Sequence, residues 1–144
     1  MRDAAPGVYT VIRRTAGTGE IGRAYAQVNA SGAAASVELH FNSVATPQAT
    51  GTETLTSGTT GSLRLGRLIQ PAMVGVLGLH DRGLITILKD TADACGRASL
   101  WTSPPCGAAE AVFRQQSDNS QIADRQFSAL VRVIHGACRN FLKG

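Results

Sequence analysis

The sequence predicts an α/β protein built on a mostly parallel, twisted sheet flanked by helices, and three observations carry that prediction. Short runs of β-branched or small residues alternate with segments of helical spacing, the order that sets strands side by side with helices on their faces. Aromatic residues make up only 5% of the chain while Gly, Ala, Ser and Thr abound, which suits a tightly packed sheet more than a helical bundle. At 144 residues the chain has the size of one domain, 1–144, and enough length to bury a core.

Taken in order, Val8-Tyr9-Thr10-Val11-Ile12 reads as a first strand entered through Pro6-Gly7. Glu20 to Asn29 has helical spacing, with Ile21, Ala24, Tyr25 and Val28 on one face, and Ser31-Gly32 closes it. A second strand follows from Gly32 and ends on His40. Thr52 to Thr56 alternates as a short third strand. Leu63 to Leu77 is a helix that Ser62 is placed to cap, with Pro71 expected to kink it. Leu84 to Leu88 and Ala98 to Trp101 read as extended segments, and Pro104 to Phe113 as a strand of small residues carrying one carboxylate, Glu110. A final helix spans about Gln121 to Leu142, with Ile122, Phe127, Leu130, Val131, Ile134, Cys138 and Phe141 as its apolar stripe.

Function is sought first at His40. A histidine at the C-terminal lip of a strand, followed by a loop, stands where open α/β sheets bind their ligands. Glu110, on another strand, is costly to bury unless it is paired, bound to a metal or used chemically. Glu38, two residues before His40 and so on the same face of its strand, is a further acidic neighbour, read as a buried partner ahead of a ligand. Gly17-Thr18-Gly19-Glu20-Ile21-Gly22 matches G-x-G-x-x-G between a strand and a helix, the context of a dinucleotide fingerprint. Arg13 and Arg14 separate it from its strand, however, and no acidic residue closes the next strand to hold a ribose.

Composition narrows the partners. The formal net charge of +4 fits an anionic polymer, nucleic acid or cell-wall material. Lys and Arg are scattered, with no basic run and no interleaved aromatics, which argues against a nucleic-acid module. Cys95, Cys106 and Cys138 form no C-x-x-C pair, and an odd count argues against a disulfide scaffold, so buried reduced thiols are expected. No apolar run is long enough for a membrane span, and Met1 to Gly7 lacks the apolar core of a signal peptide.

The order of these parts resembles the zinc-dependent N-acetylmuramoyl-L-alanine amidases of the Amidase_3 type, cell-wall hydrolases of bacteria and of phage endolysins. Val11-Ile12-Arg13-Arg14-Thr15 is similar to a family strand ending in arginine-threonine, and Arg23, Ala24 and Asn29 to the helix after it. Leu39-His40-Phe41-Asn42-Ser43 resembles the His-x-Asn motif, Gly51-Thr52-Glu53 the glycine-led strand that follows, and Asp81-Arg82-Gly83-Leu84 an arginine-glycine turn. Pro105 to Phe113, followed by Asp118-Asn119, resembles the closing segment.

The resemblance implies a zinc ion held by two histidines and a glutamate, and a second glutamate that moves the proton. It makes His40 a metal ligand, Glu110 the catalytic glutamate and Asn42 a substrate contact. The bond cut is the amide between N-acetylmuramic acid and L-alanine. It also implies peptidoglycan as partner, with no nucleic acid and no membrane, and action on the cell wall after synthesis in the cytoplasm, by phage-type release or secretion. In the family one β-α unit carrying a histidine and a glutamate ligand precedes the strand matched by Val8 to Ile12. That unit, with two of three ligands, is absent from the 144 residues. An inactive peptidoglycan-binding or assembly partner and an unrelated nucleotide-binding α/β domain are the alternative expectations.

Overall fold

The computed structural model describes residues 9–13, 20–42, 50–87, 108–114 and 121–144 apart from 123; the side chains of residues 20, 21, 40–42 and 108–114 lie outside that description. Helix α1 is Glu20–Ala30, strand β1 Ser36–Asn42, β2 Thr52–Thr56, helix α2 Thr60–Leu77, β3 Asp81–Thr86, β4 Ala108–Arg114 and helix α3 Phe127–Leu142. The four strands form one sheet in the order β1-β4-β2-β3. Pairs β1/β4 and β2/β3 are parallel, and an antiparallel join between β4 and β2 links them. The expected α/β class is observed.

Two helices cover one face. Alternation along β2 sends Thr52, Thr54 and Thr56 to one side and Glu53 and Leu55 to the other. Gly66 of α2 comes so close to the threonine side that a Cβ there would meet Thr56 Cγ2 at 2.9 Å and Leu84 Cδ2 at 3.0 Å. The α2 stripe Leu65, Ile69, Met73 and Leu77 packs on Leu130, Ile134, Ala137, Cys138 and Phe141 of α3, forming the main core with Val37 of β1 against it. Burial of this apolar stripe, at roughly 1.5–3 kcal/mol per large side chain, holds the helical layer to the sheet. Arg64 fastens α2 to the end of α3, donating to the Phe141 carbonyl at 2.6 Å with its guanidinium 4.3 Å from that ring. Leu55 and Ile87 form a small cluster of their own.

Several local expectations are corrected. Residues 9–13 form no strand: a β-branched run marks apolar burial but needs a ladder partner to become a strand, and Tyr9 packs instead on the His135 ring, 5.4 Å between centroids. The α2 cap is Thr59, whose hydroxyl accepts from the Ser62 N–H at 3.2 Å, so the helix begins one turn before the residue expected to cap it. Pro71 lies inside α2, which runs on to a left-handed C-cap at Gly78. β3 begins at Asp81, three residues early, because Thr52 pairs there. The last helix is interrupted by a turn at Gln126, and Phe127, 56% exposed, drops out of the apolar stripe, whereas Ile122 before the turn packs against the core as expected. The expected strand at Ala98 to Trp101, the glycines of Gly17-Thr18-Gly19, and Cys95 and Cys106 lie outside the described residues; Cys138 is a buried free thiol. Among the described residues no helix is long and apolar enough to cross a membrane.

Candidate functional site

Because β4 runs antiparallel to β2, one edge of the sheet gathers the ends of β1 and β4 and the beginnings of β2 and β3. Asn42 and Arg114 are paired there, Thr52 pairs Phe113, and Asp81 pairs Thr52. His40 is not the last residue of its strand: β1 continues through Phe41 to Asn42, since β4 supplies a partner at each level. Glu110 likewise stands third in β4, inside the strand and not at its lip, because β4 continues to pair with β1 and β2 as far as Phe113.

Register fixes which positions share a face. Glu110 is level with Glu38 on one side and Leu55 on the other, while Val112 is level with both His40 and Glu53. Directly paired residues lie on one face, and so do residues two apart in a strand. Glu38, His40, Asn42, Glu110 and Glu53 therefore occupy one face of the sheet, the face opposite α2 and α3. From ladder spacings the Cα atoms of His40 and Glu110 are about 8 Å apart. The side chains of His40, Asn42 and Glu110 lie outside the described residues.

Two carboxylates of this face are described, and each has a partner. Tyr25 of α1 donates its hydroxyl to Glu38 Oε2, the role of buried partner expected for Glu38. Glu53 is 2% exposed and pairs through Oε2 with Arg82 Nε at 3.0 Å. A carboxylate so buried is held by its counter-charge, because an unpaired charge in that environment is strongly disfavoured. The sequence sets Arg82 in an arginine-glycine turn and Glu53 in the glycine-led strand, with nothing to pair them. The signal was present in Gly51-Thr52-Glu53, an acid set in the middle of a buried run of threonines.

On the other face, a polar seam ties α2 to the same edge. The Gln70 amide donates to the Thr52 carbonyl at 3.1 Å and to Asp81 Oδ1, and its oxygen accepts from Thr54 Oγ1 at 2.7 Å. Asp81 Oδ1 also accepts the Gly83 N–H at 2.8 Å. These bonds, the Gln70 one foremost, hold the Asp81 carboxyl below the usual aspartate value. A carboxyl depressed on folding stabilises the fold fully above its unfolded value near 3.9, and that contribution is lost as the pH falls through the folded value. Asp81→Asn should therefore be less stable than the parent at pH 6, with the gap closing in acid. Urea unfolding at a series of pH values measures it, and a gap that persists unchanged at pH 2 contradicts the assignment.

A catalytic zinc takes three protein ligands and keeps an open position. Among the described residues no three His, Cys, Asp or Glu side chains converge. Glu38 and Glu53 are engaged by Tyr25 and Arg82, and His80 is exposed in the turn before β3. His135, half-buried, packs on Tyr9 in the helical layer behind the sheet. The described residues do not by themselves assemble a zinc site.

No protein-family model matches the sequence, and no curated protein matches it by sequence. Solved structures do match. An N-acetylmuramoyl-L-alanine amidase from Clostridium difficile 630 superposes with a TM-score of 0.66 at 21% identity, over 86% of this chain and 66% of that one. The catalytic domain of CwlV, an N-acetylmuramoyl-L-alanine amidase from Bacillus (Paenibacillus) polymyxa var. colistinus, gives 0.68 at 15% identity, over 85% and 65%. AmiC2, an N-acetylmuramoyl-L-alanine amidase of Nostoc punctiforme, gives 0.57 at 16% identity, over 90% and 67%. The chain thus spans about two thirds of the length of these neighbours. With most of its own length superposed on three such enzymes, the chain has the fold of N-acetylmuramoyl-L-alanine amidase catalytic domains.

Proposed function

We propose that the chain is a peptidoglycan hydrolase of the cell wall, cleaving the amide between N-acetylmuramic acid and the L-alanine of the stem peptide. The observation that carries this reading is the superposition of 85–90% of the chain on three amidases. The common sheet face of His40, Asn42 and Glu110 supports it. Glu110 acts as general base toward the attacking water and then returns the proton to the departing alanine nitrogen, so that one carboxylate serves both halves of the reaction. Asn42, at the end of β1, contacts the substrate at the sheet edge. Zinc is the proposed cofactor, with His40 as one ligand and the remaining ligands contributed from outside the described residues; when bound, such an ion activates water at neutral pH.

The test combines elemental analysis of the purified chain with product analysis on isolated cell walls. Amidase action creates new alanine amino termini and no new reducing sugar ends. Glu110→Gln should keep the fold and lower release of those termini by about 10²- to 10⁴-fold, the usual weight of a general acid–base group. Release of reducing ends, or no release with zinc supplied, overturns the reading.

A further inference from the structure

Two helices of the chain carry positive charge alone. Helices α2 and α3 carry Arg64, Arg67, Arg132 and Arg139 and no Asp or Glu. The whole chain has 14 Lys and Arg against 10 Asp and Glu, so outside these two helices ten cations are matched by ten carboxylates. The charges carried by α2 and α3 are therefore all positive and equal in number to the net charge of the chain.

The four arginines are exposed. Arg64 and Arg67 are three residues apart and Arg132 and Arg139 seven apart, so each pair forms a stripe along its helix. The contact of Arg64 with Phe141 sets the start of α2 beside the end of α3, which draws Arg64, Arg67 and Arg139 together at one end of the layer. Packed helices lie 8–10 Å apart, about one Debye length at 0.1 M salt, so the two stripes act on a ligand as one field. Arg64 and Arg139 also serve the carbonyl end of α3. Arg67 and Arg132 have no ion-pair partner among the described residues, and Arg64 and Arg67, one turn apart, repel in the free protein. Two packed helices whose own charges are all positive suit a partner carrying regularly repeated negative charge.

We infer that the α2–α3 layer is a docking surface for a phosphodiester polymer of the cell wall, which would hold the protein on its substrate with the opposite face of the sheet turned to the glycan. Choosing a wall polymer over nucleic acid rests on the amidase reading; the binding itself does not. Fluorescently labelled poly(glycerol phosphate) serves as the probe, its binding to the full chain followed by anisotropy at 50 and 200 mM NaCl. If four contacts neutralise four phosphates, counterion release weakens binding roughly 50- to 150-fold across that range, and Arg67→Gln/Arg132→Gln reduces the loss to roughly 10-fold. Circular dichroism checks that the double variant is folded, and Arg23→Gln, on α1 at the opposite face of the sheet, should bind like the parent. The proposal is overturned by absent binding at 50 mM NaCl, by an unchanged salt dependence in the double variant, or by tighter binding to a 20-base-pair duplex than to poly(glycerol phosphate). Polymer binding that persists in a chain releasing no alanine termini refutes the amidase reading alone.

Discussion

Replacing Arg82 by alanine should destabilise the protein by about 2–4 kcal/mol, the range for removing one partner of a buried ion pair, lowered because the guanidinium itself is partly exposed. Glu53 is 2% exposed and its Arg82 partner 32%. The variant therefore takes from a buried carboxylate the guanidinium 3.0 Å away. Urea unfolding of four proteins measures this: the parent, Arg82→Ala, Glu53→Gln and the double variant. Adding Glu53→Gln to Arg82→Ala should recover part of the loss, because it removes the charge that the guanidinium balanced. Simple additivity would show that the pair contributes nothing. Any wall turnover should fall less than stability does, since Arg82 holds the start of β3 and is given no part in the chemistry.

Gly51→Ala should cost on the order of 3 kcal/mol. Gly51 has φ of +120°, a conformation that side chains resist by roughly 1–2 kcal/mol, and its added Cβ would stand 2.6 Å from the His80 carbonyl oxygen. That oxygen cannot retreat without breaking the bond it accepts from the Thr52 N–H at 2.9 Å, the first tie between β2 and the turn leading into β3. Arg82 Cγ, 2.9 Å from the same Cβ, closes the other way out. Forced overpacking adds about 1–3 kcal/mol to the conformational term. Hydrogen exchange gives a local check: the Thr52 amide should lose protection before Thr54, and equal protection in parent and variant would contradict this account.

The parts legible in the sequence were those written in local pattern. β2 spans Thr52–Thr56 as its alternation predicts, and α1 and α2 fall where their apolar spacing puts them. The parts that escaped depend on partners far away in the chain. Nothing near Val8 to Ile12 says whether a β-branched run finds a strand beside it, and nothing near His40 says that β4 will extend β1 to Asn42. The site followed the same division. Shared faces for Glu38 and His40 follow from strand period, whereas the levels of Glu110 and Glu53 relative to them are set by a register between strands that no local pattern encodes. Gln70 reads as an ordinary polar helix residue until Thr52, Thr54 and Asp81 are brought to it.

The strand order has a consequence for assembly in time. β4 lies between β1 and β2, yet it comes about 70 residues after the one and 50–60 after the other. β2, α2 and β3 are contiguous and can close as a unit while the chain is still being made. β1 has no described neighbour until residues 108–114 arrive. Among the described strands, the face bearing His40 therefore gains its neighbour late, with the strand that brings Glu110.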